Sequence, residues 1–110
     1  MNIPQYKFRF FFSPGSGTCL WVDNDAASER WDCAVDINDL PLTDQQKYQA
    51  LYVIAWYDTS IDWDYPPGPS PWSNEELLKF NNAAQSLLVS FQTRLGSGNI
   101  RDLSDTGNQT

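Results

Sequence analysis

Polar and apolar positions alternate first near the start of the chain. Residues 6–12, Tyr-Lys-Phe-Arg-Phe-Phe-Phe, place Phe8, Phe10 and Phe12 on one side and Lys7, Arg9 and Phe11 on the other. That period of two predicts a half-buried strand, with Lys7 and Arg9 on a solvated face or a protected edge. Ser13-Pro-Gly-Ser-Gly17 is a dense turn signal, and Thr18-Cys-Leu-Trp-Val22 is a second β-prone run. Together they predict a hairpin with a loop longer than the tight two-residue type. From Asp23 to Leu42 the pattern weakens. Asp23-Asn-Asp25 can cap a short helix through Ala26, Ala27 and Arg30. Trp31, Val35, Ile37 and Leu40 offer anchors at loose spacing, and Pro41 closes the segment.

Two stretches then read as helices. Thr43 and Gln46 have capping-box spacing, and Asp44 suits the positive end of the helix dipole. Tyr48, Leu51, Tyr52 and Ala55 fall on one face, and Val53, Ile54, Trp56 and Tyr57 widen the apolar coverage. The expectation is a central helix buried on more than one side, fraying near Asp58 to Ser60. The second helix has Ser73 and Glu76 at capping-box spacing, with Trp72 and Leu77 placed as a hydrophobic staple. Leu77, Phe80, Ala84, Leu87, Leu88, Phe91 and Leu95 make one stripe, read as core, and Gly96 is placed to end the helix. Ile100 to Leu103 can return as a strand beside the hairpin, and the polar residues 104–110 are expected to be disordered.

Between the helices lies the stretch from Trp56 to Trp72. Prolines at 66, 67, 69 and 71 remove backbone donors and fix φ, so this is neither a helix interior nor a central strand. It reads as a stiff connector lying against the domain. The whole pattern predicts one α+β domain over residues 1–103. A small antiparallel sheet, built from the N-terminal hairpin and a possible C-terminal strand, is covered by two main helices.

Composition changes this picture mainly through charge. The chain of 110 residues carries a formal net charge of −7, and 41% of it is apolar, enough for a packed core. Residues 23–64 hold ten acids against two bases, a window of −8, whereas the remainder is +1. Such a surface repels phosphate backbones and anionic lipid and steers basic proteins toward it; a merely solvated acidic face is the bland alternative. No apolar run reaches the roughly 18–20 residues of a membrane span. The opening Met-Asn-Ile-Pro-Gln lacks a signal-peptide pattern, so the expectation is a cytoplasmic protein. Cys19 and Cys33 are accordingly read as small buried apolar residues, not as a disulfide.

The chemistry that remains is limited. The chain has no histidine, which excludes Ser-His-Asp and Cys-His arrangements, and Gly15-Ser-Gly17 lacks the rest of a phosphate-binding fingerprint. Asp62 and Asp64 could pair as carboxylates, but little material is left to build a glycosidase cleft. The spacing Asp58-x-x-x-Asp62-x-Asp64 is not a calcium-loop pattern. No enzyme activity, metal, cofactor or small-molecule ligand is expected. The acids do interleave with aromatics: Trp21 beside Asp23 and Asp25, Trp31 beside Asp32, and Trp56 to Tyr65 around Asp58, Asp62 and Asp64. Interfaces favour aromatic anchors inside polar rims. Trp56 and Trp72 are read as core, and Trp63 as exposed.

The Phe-rich strand, Gly15-Ser-Gly-Thr-Cys-Leu-Trp21 with Asn24, Asp39-Leu-Pro-Leu-Thr43, Trp56-Tyr-Asp-Thr-Ser-Ile-Asp-Trp63, Pro71-Trp72 and Glu75 to Gly96 resemble a group of small acidic bacterial proteins. That group is the immunity proteins of toxin–immunity systems, such as contact-dependent growth inhibition. The resemblance spans roughly residues 8–96. It implies a cytoplasmic protein that neutralises one cognate toxin domain, often a basic nuclease, by covering its active site or substrate surface. The residues expected to contact such a partner are Asp23, Asp25, Glu29, Asp32, Asp36, Asp39, Asp58, Asp62, Trp63, Asp64 and Tyr65. Two other readings stay open: a carbohydrate-binding module, since tryptophans flanked by aspartates also suit sugars, and an acidic mimic of nucleic acid.

Overall fold

A computed structural model of the chain describes residues 5–65 and 68–103. The chain runs through β1 (Phe8–Phe10), β2 (Leu20–Val22), α1 (Asp25–Trp31), α2 (Asp44–Asp58), α3 (Asn74–Leu95) and β3 (Ile100–Asp102). Short 3-10 turns cover Ile37–Asp39 and Ser97–Asn99. The class is α+β, as the pattern predicts. The segment 104–110, read as a disordered tail, lies outside the described residues, as do Pro66 and Pro67 of the connector.

The sheet differs from the expectation in one respect. Its order is β2-β1-β3, with β1 antiparallel to β2 but parallel to β3. The sheet is mixed, and β1 is its central strand rather than an edge guarded by Lys7 and Arg9. Asn99, just before β3, accepts a hydrogen bond from Gln5 Nε2 at 2.8 Å. Both strands therefore start from the same end of the sheet and run the same way. A parallel neighbour needs a long crossover, and α2 and α3 provide it.

Alternation along β1 works as read. Phe8 and Phe10 are buried, and Phe12 continues that face onto Tyr57 and Phe80. On the other face Phe11 stacks on Trp21 at 4.8 Å, and the Trp21 indole donates to the Phe11 carbonyl. Phe10 meets Phe91 of α3 edge-on, so α3 lays its stripe on the sheet. That stripe starts at Phe80, because Leu77 is exposed. Each such buried side chain contributes roughly 1.5–3 kcal/mol. Gly96, with φ at +99°, ends α3 where a Cβ would be strained.

Helix α2 corrects a second expectation. Its inward side is Ala50, Val53, Ile54 and the partly buried Tyr57, whereas Tyr48, Leu51, Tyr52 and Ala55 face water. The helix is apolar almost all round, so periodicity could not set its phase; α3 did. Gln46 Nε2 donates to Ser90 Oγ and Trp56 Nε1 to Glu76 Oε2, which pairs the two helices antiparallel. The Trp56 bond also explains a failed capping box. Ser73 Oγ accepts from the Glu76 backbone, but the Glu76 carboxylate serves Trp56 at 2.6 Å instead of its own helix end. Thr43 and Gln46 do form the full box. Trp56 and Trp72 pack on Phe80 at the border of the core.

One cysteine is misread as well. Cys19 is fully buried, and burial pushes its thiol well above the usual range. Cys33 is exposed, because it lies in the segment that runs along the outside of β2, with the Val22 N–H donating to its carbonyl. Both cysteines are free.

Candidate interaction surface

The eleven residues expected to contact a partner fall into three situations. Asp23 is used within the fold. Its Oδ1 lies 2.8 Å from Arg101 Nη2 and 4.0 Å from Arg9 Nε, so it ties β3 to the hairpin across the outer face of the sheet. Asp36 caps the 3-10 turn by accepting from the Asn38 N–H, and Asp39 accepts from the Trp31 indole at 3.2 Å. These three carboxylates each have a structural task.

Asp25, Glu29 and Asp32 are exposed on α1 and its end. The helix forms because Asn24 accepts from Ala27 N, and the same oxygen accepts from Lys7 N at the entry of β1. Asp32 closes it in an unusual way. Its φ is +71° and its ψ −67°, and Cys33 N–H donates to the Trp31 carbonyl across it at 2.9 Å. This is the rare, strained form of the γ-turn, and an aspartate bears the strain.

Asp58, Asp62, Trp63, Asp64 and Tyr65 form a separate group at and beyond the C-terminal end of α2. Asp58 Oδ1 accepts from Gly15 N at 2.9 Å, which pins the loop to the turn between β1 and β2. Gly15 has φ at +73°, and a Cβ there would sit 3.8 Å from the Trp63 ring. Asp62 Oδ1 accepts from both Asp64 N and Tyr65 N, a turn built on its own carboxylate. Trp63 Nε1 donates to the Asp58 carbonyl, and the ring is nonetheless 57% exposed; Tyr65 is 64% exposed. Asp64 is exposed beside them. The loop is thus fixed by its own hydrogen bonds while holding two aromatic rings in water.

The structure does not gather the α1 acids and the 58–65 loop into one patch. Lys7, which holds the start of α1, precedes β1; Gly15, which holds the loop, follows it. A further exposed set lies on α2, where sequence reasoning expected burial. Tyr48 (73% exposed), Leu51 and Tyr52 (61%) line the outer side of α2, and Thr59 continues that face by spacing into the loop. Three large side chains of α2 are thus left in water on one helix face.

Among the described residues, no group of three His, Cys, Asp or Glu side chains is placed to hold a metal ion, and no helix is long and apolar enough to cross a membrane. The chain matches no protein-family model, and no curated protein matches it.

Proposed function

We propose that this chain is an immunity protein of the cytoplasm that binds and neutralises one basic toxin domain, a nuclease. The 58–65 loop and the outer face of α2 make the tight contact. The observation that carries the reading is Trp63 and Tyr65 standing in water on a loop already fixed by bonds from Gly15, Trp63, Asp64 and Tyr65. Rigid aromatic anchors lose little entropy on binding, and buried Trp and Tyr are the side chains on which hot spots most often stand. Asp64 sits beside them to meet a Lys or Arg. Asp25, Glu29 and Asp32, at a distance from this contact, add to the negative field that speeds capture of a basic protein.

The test is complex formation with the toxin domain encoded in the adjacent reading frame, followed by calorimetry on variants. Trp63→Ala and Tyr65→Ala each weaken the complex by about tenfold or more, as buried anchors do. Asp64→Lys slows association and flattens its salt dependence. Failure to bind that domain, with binding to a glycan panel instead, replaces this reading with a carbohydrate-binding module. Salt-sensitive association with many basic proteins favours the nucleic-acid mimic.

A further inference from the structure

On the side where β1 begins, away from the Trp63 loop, α1, the Asp39–Pro41 segment and the end of α3 line an open pocket of about 760 Å³. That volume lies within the range of small-molecule sites, about 300–1,000 Å³. One wall is aromatic. Trp31 packs edge-on against Tyr6 at 5.0 Å and Phe8 at 5.6 Å. The Arg30 guanidinium carbon lies 4.6 Å from the Trp31 ring centre and 5.9 Å from that of Tyr6. A guanidinium stacked on rings keeps its in-plane N–H groups for an acceptor at its edge. Arg94 also lines the pocket and uses Nε, donating to the Pro41 carbonyl at 2.6 Å, which leaves its terminal amino groups.

Charge decides what fits. Fourteen acids outnumber seven bases in this chain, and Arg9, Lys79 and Arg101 all have carboxylate partners. Among the described residues, Lys7, Arg30, Lys47 and Arg94 have none within 4.0 Å, and of these Arg30 and Arg94 line the pocket. Asp39 is the acid of the pocket, and one of its oxygens already accepts from the Trp31 indole. The negative end of α3 would oppose an anion, but two of its last four carbonyls are occupied: Gln92 O accepts from Gly96 N, and Leu95 O from Asn99 Nδ2.

We propose that this pocket is a binding site of its own and takes an organic carboxylate with an apolar body. The carboxylate is held by the guanidinium groups of Arg30 and Arg94, and the apolar part lies against Tyr6, Trp31 and Leu40. A small aromatic acid and the C-terminal carboxylate of a peptide ending in an apolar residue share this chemistry. The site is independent of the toxin-binding reading and uses different residues.

The probes are phenylacetate and its neutral amide, titrated into the isotope-labelled full chain while the Trp31 indole and Arg30 Nε resonances are followed. Saturable shifts with phenylacetate are expected, at least about tenfold weaker with phenylacetamide, because a charge-assisted pair is lost. Arg30→Gln and Arg94→Gln each reduce affinity by a similar factor, with thermal melts confirming that both variants fold. A short peptide ending in a free Phe carboxylate, compared with its amide, separates the two sources. Tighter binding than phenylacetate assigns the site to a chain terminus, and weaker binding assigns it to a small acid. Absence of shifts up to the solubility limit of phenylacetate, or equal binding of acid and amide, overturns the proposal.

Discussion

The backbone at Asp32 allows a sharp test of the local physics. A residue with a Cβ held at φ +71° and ψ −67° costs about 1–3 kcal/mol relative to an ordinary conformation. Glycine removes that cost but gains freedom in the unfolded chain worth about 0.4–1 kcal/mol. The carboxylate also lies at the negative end of α1, so deleting it helps any variant. Comparing Asp32→Gly with Asp32→Ala cancels this charge effect and isolates the backbone. The difference should favour glycine by about 1 kcal/mol, the strain less the unfolded-state term. With a urea slope of about 1–3 kcal/mol per molar, the glycine variant should unfold at a midpoint roughly 0.5 M higher than the alanine one. Equal midpoints, or a lower one for glycine, would refute the claim that the γ-turn is strained.

Two further outcomes follow from burial. Native protein should react with a thiol reagent at Cys33 alone, with Cys19 labelled only after unfolding, because its buried thiol resists ionisation; mass spectrometry after brief labelling reads the sites directly. Thr18→Val should cost about 1–3 kcal/mol in urea melts, since the buried hydroxyl donates to the Val35 carbonyl at 2.6 Å and its loss strands that acceptor.

Local signals were legible in this sequence wherever one face of an element was plainly apolar and the other plainly polar. The Phe8–Phe12 alternation, the Phe80–Phe91 stripe and the caps at Asn24, Thr43 and Ser73 all lie where the pattern places them. Helix α2 was a different case, because Tyr48, Leu51 and Tyr52 have as much apolar bulk to bury as Ala50, Val53 and Ile54. Only packing against α3 decides which set is inside. The direction of β3 is likewise set by where α3 ends, a fact of tertiary structure. Glu76 had two possible partners, its own helix end and an indole twenty residues earlier in the chain. For the site, Trp63 was readable from its aspartate neighbours. The separation of the α1 acids from the 58–65 loop was not, because charge per stretch of sequence carries no distance. The Arg30–Arg94 pocket was invisible for the same reason: its residues come from three distant stretches of the chain, 5–8, 30–41 and 94–99.

The placement of β1 between an early neighbour and a late one has a consequence for biosynthesis. The hairpin partner of β1 emerges from the ribosome almost at once, but β3 arrives only when nearly all the described chain has been made; the Gln5–Asn99 bond joins positions 94 apart. Until then one side of β1 is an unpaired strand edge, the kind of edge on which chains associate. Arg101 adds to that dependence, since it is the closest base to Asp23 on the hairpin. The sheet therefore depends on β3 out of proportion to that strand's length, because β1 is fully paired only once Ile100–Asp102 has been made.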